Sequence, residues 1–504
     1  VLFPSDPTAR VEVWLGEHSL GRARLCLPRP DVLDATDIQL GATSGFDLTT
    51  DLSNWPGANG ETTLKVVATS VTGERFELRP VPVTVAPKAI KLGSRISASA
   101  RLPRTADRDG PSVLVWTHQL DLGGAQLYLL DLLSELLKGG AANPTVVSAI
   151  DGPVRARFEE LGIPVRISEP APVHDAKAYA RRIEELTLWA GDRDFDAVLI
   201  NTATTLALPG ADVAVGLELP AIWVIHESLE PSLIWAYLDP EVRRRSEKAL
   251  NHAAMVVFEA EATRCLYEAK ISPGCSVTLP YGLELAPIDE KRADFNRAAA
   301  RRAADIPKKA EVILCVGTVE PRKAQLPLAQ AFDLIADRHP RARLVFVGGS
   351  DNLDSRLLSE YIDACNSADR IDLIPISPHV QQWYGIADLL VCASDIESLP
   401  RTVLEAMAWE TPVLATSVFG LPELIDDGET GWLCEPRDVG ALAAGLDRAL
   451  STSAKERGAI GGAARALVER RHSLDSYARD VARLLHEAIE NPPGGIPGTR
   501  VADR

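Results

Sequence analysis

The sequence predicts an α/β protein: two doubly wound units facing a cleft, preceded by a small all-β sandwich. Two observations carry this expectation. From Pro111 onward, short apolar runs of the kind that make buried parallel strands alternate with longer amphipathic stretches. Before about residue 88 the runs are short, often alternating and rich in Val, Thr and Leu, with turn residues between them and no helical period. A length of 504 residues suggests about three domains.

In segment 1–88, VEVWLG, GRARLCL, FDLTTDL, TTLKVVATSV and RFELRPVPVTV read as strands of the sandwich. Trp14 and Trp55 there could form a carbohydrate platform, but packing between sheets is the commoner use of such residues. Residues 89–110 are polar, basic and small, and read as a linker. Residues 111–285 hold the first unit, with strands VLVWTH, PTVVSAI, DAVLIN, AIWVIHE and AAMVVFEA, a helix AQLYLLDLLSELLKGG and another near 176–190. Residues 286–307 join it to the second unit, 308–475. Its strands are EVILCVG, ARLVFVGG, IDLIPI, DLLVCAS and PVLAT; its helices include LPLAQAFDLIADRHP, one near 354–367 and TVLEAMAWE. A terminal helix at 476–490 is expected to pack back on the first unit, and 491–504 to be disordered. Such paired Rossmann-like units place the ligand in the cleft between them.

Composition narrows the function. Lys and Arg number 53 against 70 Asp and Glu, a net charge of −17 that repels nucleic acid and requires a local basic site for any phosphate ligand. No apolar run approaches the roughly 20 residues of a membrane span, and the N-terminus has no signal-peptide pattern. A cytoplasmic location is therefore expected. RRIEEL (181–186) and EVRRRSEKAL (241–250) are basic helix faces; they read first as solvated, with peripheral contact at the inner face of a membrane as the alternative. The cysteines at 26, 265, 275, 315, 365, 392 and 434 form no C-x-x-C pair and read as buried, reduced thiols.

The candidate chemistry lies where predicted strands end. Glu397 follows the strand DLLVCAS, and Glu405 sits about a turn inside the next helix. Ser398 can cap that helix and Pro400 fits its first turn, leaving N–H groups free to favour an anion. Gly317 ends the strand EVILCV, with Arg322 and Lys323 just before a helix; two cations there oppose the helix dipole and want a compensating anion. Gly348 and Gly349 end the next strand, and the IPISPHV segment ending at Val380 could receive a base by main-chain contacts. In the first unit, Gly123 and Gly124 open a helix and let a ligand approach its N-terminus. His118 and Asp121 share that edge, but each alone is more often structural. His226 follows the strand AIWVI, where it could meet a sugar or an incoming hydroxyl or merely finish the strand; Glu227 reads as a surface or structural carboxylate. DRDFD (192–196) has D-x-D spacing but reads as a solvated turn. No His, Cys or carboxylate set has zinc spacing.

Together these residues resemble the family-four retaining glycosyltransferases of the GT-B fold, the glycosyl transferases group 1. The matching pieces are LGGAQ (122–126), VIHE (224–227), PYGLEL (280–285), VGTVEPRKAQ (316–325), and ESLPRTVLEAMA with TPVLAT and GLPELIDDGETGWL (397–433). Residues 1–88 lie outside the match and look like an immunoglobulin-like accessory domain. The resemblance implies a nucleotide-sugar co-substrate, UDP- or GDP-linked, with no cofactor or metal, and a glycan or lipid-linked acceptor. Glu397 would contact the donor sugar, and Glu405 the ribose. Arg322 and Lys323 would bind the diphosphate, helped by backbone at Gly317, Thr318, Ser398, Leu399, Pro400 and Val380. Gly123 and Gly124 would close from the other unit, and His226 would lie near the transferred sugar. Many members carry Arg where this chain has Thr318; Arg322, in the variant E-P-R-K, would take its place. The alternatives are a non-catalytic glycan-binding or scaffolding protein on the same fold, or a related phosphorylase or epimerase.

Overall fold

The computed structural model describes residues 110–377 and 379–492, together with seven strand segments between Thr8 and Val85. Those seven strands are all antiparallel. Gly60–Ser70 pairs with Thr8–Leu15, Arg75–Glu77 and Val81–Val85, His18–Arg22 adds to Thr8–Leu15, and Arg24–Leu27 pairs with Gly45–Asp47. The Trp14 side chain, Trp55, the 89–109 stretch and the tail beyond residue 492 lie outside the described residues.

The first half is a seven-stranded parallel sheet in the spatial order Val165–Ile167, Asn143–Ile150, Ser112–Gln119, Ala197–Asn201, Ala221–Ile225, Met255–Phe258 and Ser276–Thr278. Its central strands are buried along their whole length because helices cover both faces, which is why they read as unbroken apolar runs. Gly124–Lys138 packs on one face through Leu129, Leu132, Leu133 and Leu136. Ala176–Gly191, Leu208–Gly216 and Pro240–His252 cover the other around Trp223, Trp235 and Tyr179. Each such side chain contributes about 1.5–3 kcal/mol by leaving water.

The second half is a six-stranded parallel sheet: Ile371–Pro375, Ala342–Gly349, Glu311–Val316, Leu389–Cys392, Val413–Thr416 and Trp432–Cys434. The joining segment 286–307 carries two short helices, Ala286–Ala293 and Arg297–Ala303, that the sequence reading did not assign. They are tied to the second half: Arg301 reaches Asp388 at 2.7 Å and the Ile386 carbonyl at 2.8 Å, and Phe295 meets Trp409 edge-on. The last helix, Leu474–Glu490, crosses back to the first half, where the Tyr477 hydroxyl bonds that of Tyr128. Among the described residues no helix is long and apolar enough to cross a membrane.

Of the six cysteines described, all are free. Cys315, Cys392 and Cys434 are buried, Cys275 and Cys365 are intermediate, and Cys265 is exposed, so burial holds for only part of the expected set. Burial pushes the Cys315 thiol up to about 12 and Cys392 up to about 11, which keeps them protonated and unreactive.

Candidate active site

Both sheets reverse their strand order beside the first strand of the half, the position where open α/β sheets bind ligands at the carboxyl edge. In the second half the reversal lies between Glu311–Val316 and Leu389–Cys392. Gly317 leaves the first of these with φ 143, a backbone that favours glycine. The chain then makes a single 3-10 turn, Pro321–Lys323, before the helix Gln325–Ile335. This turn delivers both cations to Glu397 on the loop after Leu389–Cys392. Lys323 Nζ pairs with Glu397 Oε1, Arg322 lies 3.5 Å from the same oxygen, and Ser394 Oγ donates to it at 2.9 Å. The compensating anion that the sequence asked for is thus Glu397 itself. Burial alone would raise its pKa; the charges of Lys323 and Arg322 and the hydrogen bonds from Lys323 and Ser394 outweigh that and hold the carboxyl below its usual range. Arg322 is further tethered to Glu320 at 2.7 Å and to the Ile396 carbonyl at 3.3 Å.

Glu405 lies on the helix Arg401–Ala408, and both its oxygens are engaged: Tyr384 O–H donates to Oε2 at 2.8 Å, and Arg401 Nε to Oε1 at 2.8 Å. Arg401 also donates to Asp131 in the first half at 2.7 Å, so the carboxylate assigned to ribose sits at one end of a bridge across the cleft. Two details of the predicted helix start are corrected. Pro400 occupies the N-cap position rather than the first turn, and no side chain caps the helix. The Ser398 hydroxyl is not the cap because it bonds Thr263 Oγ1 at 3.1 Å across the domain boundary. The free N–H groups expected at this helix start therefore remain without a side-chain cap. Leu399 and Pro400 are buried, Thr318 is exposed with its carbonyl accepting from Gln325 at 3.0 Å, and Val380 opens the helix Gln381–Ile386 that presents Tyr384.

On the facing edge, Gly124 begins its helix with no side-chain cap at Gly123. A β-carbon at Gly124 would meet nothing within 4 Å, whereas one at Gly123 would strike Gln126 Oε1 at 2.4 Å. A side chain at the first position would displace only the end of the Gln126 side chain, and the second opens onto space.

His226 follows Ala221–Ile225, its side chain 12% exposed, and both ring nitrogens are occupied. Nδ1 meets Glu259 Oε1 at 2.6 Å and Nε2 meets Asn201 Oδ1 at 2.8 Å. The Asn201 amide cannot be turned round, because its Nδ2 donates to the Ala125 carbonyl, which can only accept. With Glu259 ionised both partners of His226 are acceptors, and the ring then donates from both nitrogens as imidazolium. Burial opposes this charge, but Glu259 and then Glu227 outweigh it and lift the pKa above its ordinary value. In that charged state the ring has no lone pair free to take a proton. His118, by contrast, is pushed down to about 4 by burial and by the His226 charge; Gln126 donates to its Nε2. Glu227 is structural rather than superficial, accepting from the Ala203 and His226 backbone N–H groups.

The structure brings together Glu397, Lys323 and Arg322 at one strand edge and places Gly123, Gly124 and His226 at the other. Glu259, Asn201, Arg401 and Asp131 were missed. Asn201 and Glu259 had a usable signal, since each ends or follows an apolar strand run. DRDFD lies at the opposite edge, where Asp196 accepts from the Ser112 N–H at the start of its strand. Among the described residues no group of three or more His, Cys, Asp or Glu could hold a metal ion.

This architecture is shared. HepE of Anabaena, solved with UDP and glucose, superposes with a TM-score of 0.63 over 75% of this chain and 99% of its own, at 19% identity. Sucrose-phosphate synthase of Thermosynechococcus elongatus gives 0.62 over 75% and 99%, at 18% identity. The fold is GT-B. The second GT-B domain also carries a sequence signature: residues 296–485 match the family described as glycosyl transferases group 1. A D-inositol 3-phosphate glycosyltransferase of Streptosporangium roseum is 35% identical over 209 residues, 38% of this chain and 48% of its own. The chain thus spans about half the length of that relative. A GDP-mannose-dependent alpha-(1-6)-phosphatidylinositol monomannoside mannosyltransferase of Mycobacterium tuberculosis is 26% identical over 385 residues, 72% and 94% of the two chains.

Proposed function

We propose that this chain is a family-four retaining glycosyltransferase that moves a sugar from a UDP- or GDP-linked donor to a glycan acceptor, without metal or cofactor. The observation that carries the reading is the Lys323–Arg322–Glu397 cluster at the strand-order reversal, facing the open Gly124 edge. Departure of a nucleoside diphosphate builds negative charge on phosphate oxygens. Lys323 and Arg322, with the uncapped helix start at Arg401, supply fixed positive potential there, so the charge is stabilised as it forms. A diphosphate would compete with Glu397 for Lys323 and release the carboxylate to accept from donor-sugar hydroxyls. Glu397 then positions the sugar. Retention follows if the acceptor hydroxyl attacks from the face the phosphate leaves, with phosphate oxygen taking the proton. His226, already carrying its proton, adds positive charge at the facing edge and takes none from the acceptor.

Charge favours a neutral acceptor over the phosphorylated ones in the relatives' names. The loops between the strands of the first half and the helices that follow carry Asp121, Asp151, Glu169, Asp175, Glu227, Glu230, Glu259 and Glu284 but no Lys or Arg. Arg155, on the helix after Asp151, is closed by Asp151 at 2.9 Å and Glu159 at 2.8 Å. A phosphate entering this edge would meet these carboxylates, opposed only by His226, whose charge is already paired with Glu259. Hydroxyl partners are present instead: Thr202 and Thr204, 2.9 Å apart, beside His118. The test is a thermal-shift panel of UDP, GDP, ADP and their sugars, followed by transfer assays with the stabilising donor. One nucleotide class should raise the midpoint, and its sugar should be transferred with the anomeric configuration kept. Binding without transfer or hydrolysis across a broad acceptor panel would instead favour a glycan-binding protein.

A further inference from the structure

We propose that Ser228 and Thr263 are positioning residues that lock Glu397 in place by a buried hydroxyl chain formed only when the two domains close; this rests on the donor role given to Glu397 above. Ser228 Oγ donates to the Glu397 carbonyl at 2.9 Å and lies 2.6 Å from Thr263 Oγ1, which lies 3.1 Å from Ser398 Oγ. All four residues are buried.

The direction of the chain is fixed by its last member. A carbonyl oxygen can only accept, so the Ser228 proton points at Glu397. Ser228 oxygen must then accept from Thr263 O–H, and Thr263 oxygen from Ser398 O–H. The chain begins and ends on neighbouring residues of the second domain, while its two middle members belong to the first. Separation of the domains breaks both of its ends at once, leaving the Glu397 carbonyl without this donor.

Residues 259–263 of the first domain make three more connections. Glu423 of the second domain accepts from the backbone N–H groups of Glu261 and Ala262 at 2.9 and 2.8 Å. Glu259, at the start of the stretch, holds His226. Gly420 sits against it so closely that a β-carbon there would lie 2.6 Å from Ala260 Cβ and 2.2 Å from the Ser398 carbonyl. Residues 259–263 therefore touch His226 at one end and the Glu397 loop at the other, with the second domain docked between. Closure and the placing of both site residues are one event.

The test uses the full chain with Ser228→Ala and Thr263→Val, and the conservative Ser228→Thr and Thr263→Ser. Thermal midpoint, affinity for the stabilising nucleoside diphosphate, and kcat and KM for donor turnover are measured for each. Ser228→Ala and Thr263→Val should keep the midpoint within a few degrees and nucleotide affinity within about twofold, while kcat falls about tenfold or more. Thr263→Ser should restore most of it. Unchanged kcat in both disruptive variants, or a loss that Thr263→Ser does not recover, overturns the proposal. If the wild type binds no nucleotide sugar, the donor reading fails separately, and small-angle scattering still tests the lock. The disruptive variants should then be measurably more extended than the wild type, and equal compactness overturns it.

Discussion

Lys323 is the residue on which the leaving-group argument turns. It pairs with the Glu397 carboxylate and, in the proposed reading, holds the phosphate of the donor. Lys323→Ala should lower turnover by around 10²-fold or more through lost charge stabilisation, and unchanged kinetics would remove it from the site. His226 makes a second prediction through its protonation. Its folded pKa is raised above the unfolded value near 6.5, so its stabilising contribution is complete below about 6.5 and is lost as pH rises through the folded value. The groups facing it are Glu259 and Glu227, His118 and the Tyr128 ring, which packs edge-on at 4.8 Å. His118, held near 4, stays neutral through this range. The thermal midpoint should therefore fall on the alkaline side more steeply for wild type than for His226→Gln. Parallel pH profiles would show that the ring is not charged.

The strand ends that carry these residues depend on backbone geometry that one substitution can separate from mere helix propensity. Gly348 ends Ala342–Gly349 with φ 145, and a β-carbon there would lie 2.0 Å from the Gly317 carbonyl oxygen. Gly348→Ala should cost about 2 kcal/mol or more, whereas Gly458→Ala, in open space on Ala454–Arg471, should be neutral or stabilise by up to about 1 kcal/mol. Matching thermal shifts for the two would mean that the close approach of Gly348 to Gly317 does not matter. The contrast also shows what the sequence made legible. Strand ends, the glycines beside them and the residues that follow are local features, and the places of Glu397, Lys323 and His226 after their strands were legible that way. Contacts between the domains were not legible: Arg401 and Asp131 are 270 residues apart, Ser228 and Glu397 169. Ser398 shows the cost. By local rules it is a helix cap, but Thr263, 135 residues away, takes its hydroxyl.

At the scale of the molecule, the lysines and arginines of the strand-to-helix loops all lie in the second domain, where Glu320 and Glu397 pair with Arg322 and Lys323. The second domain brings Arg322 and Lys323 to its strand edge, and the first brings carboxylates and hydroxyls without a Lys or Arg in any of its strand-to-helix loops. Under the proposed function, a diphosphate would displace Glu397 at the cationic edge while an anionic acceptor would be disfavoured at the other, so charge would help to sort the two substrates. This predicts a consistent difference within matched acceptor pairs. Given its donor, the chain should bind or use myo-inositol better than inositol 3-phosphate, and a methyl hexoside better than its 6-phosphate, by on the order of tenfold or more at low salt. The gap should narrow as salt is added, because exposed charges are screened. Competition assays against donor turnover would measure it even for weak acceptors. A preference for the phosphorylated member of each pair would mean that a cation outside these loops reaches the acceptor, and that the acidic edge does not select it.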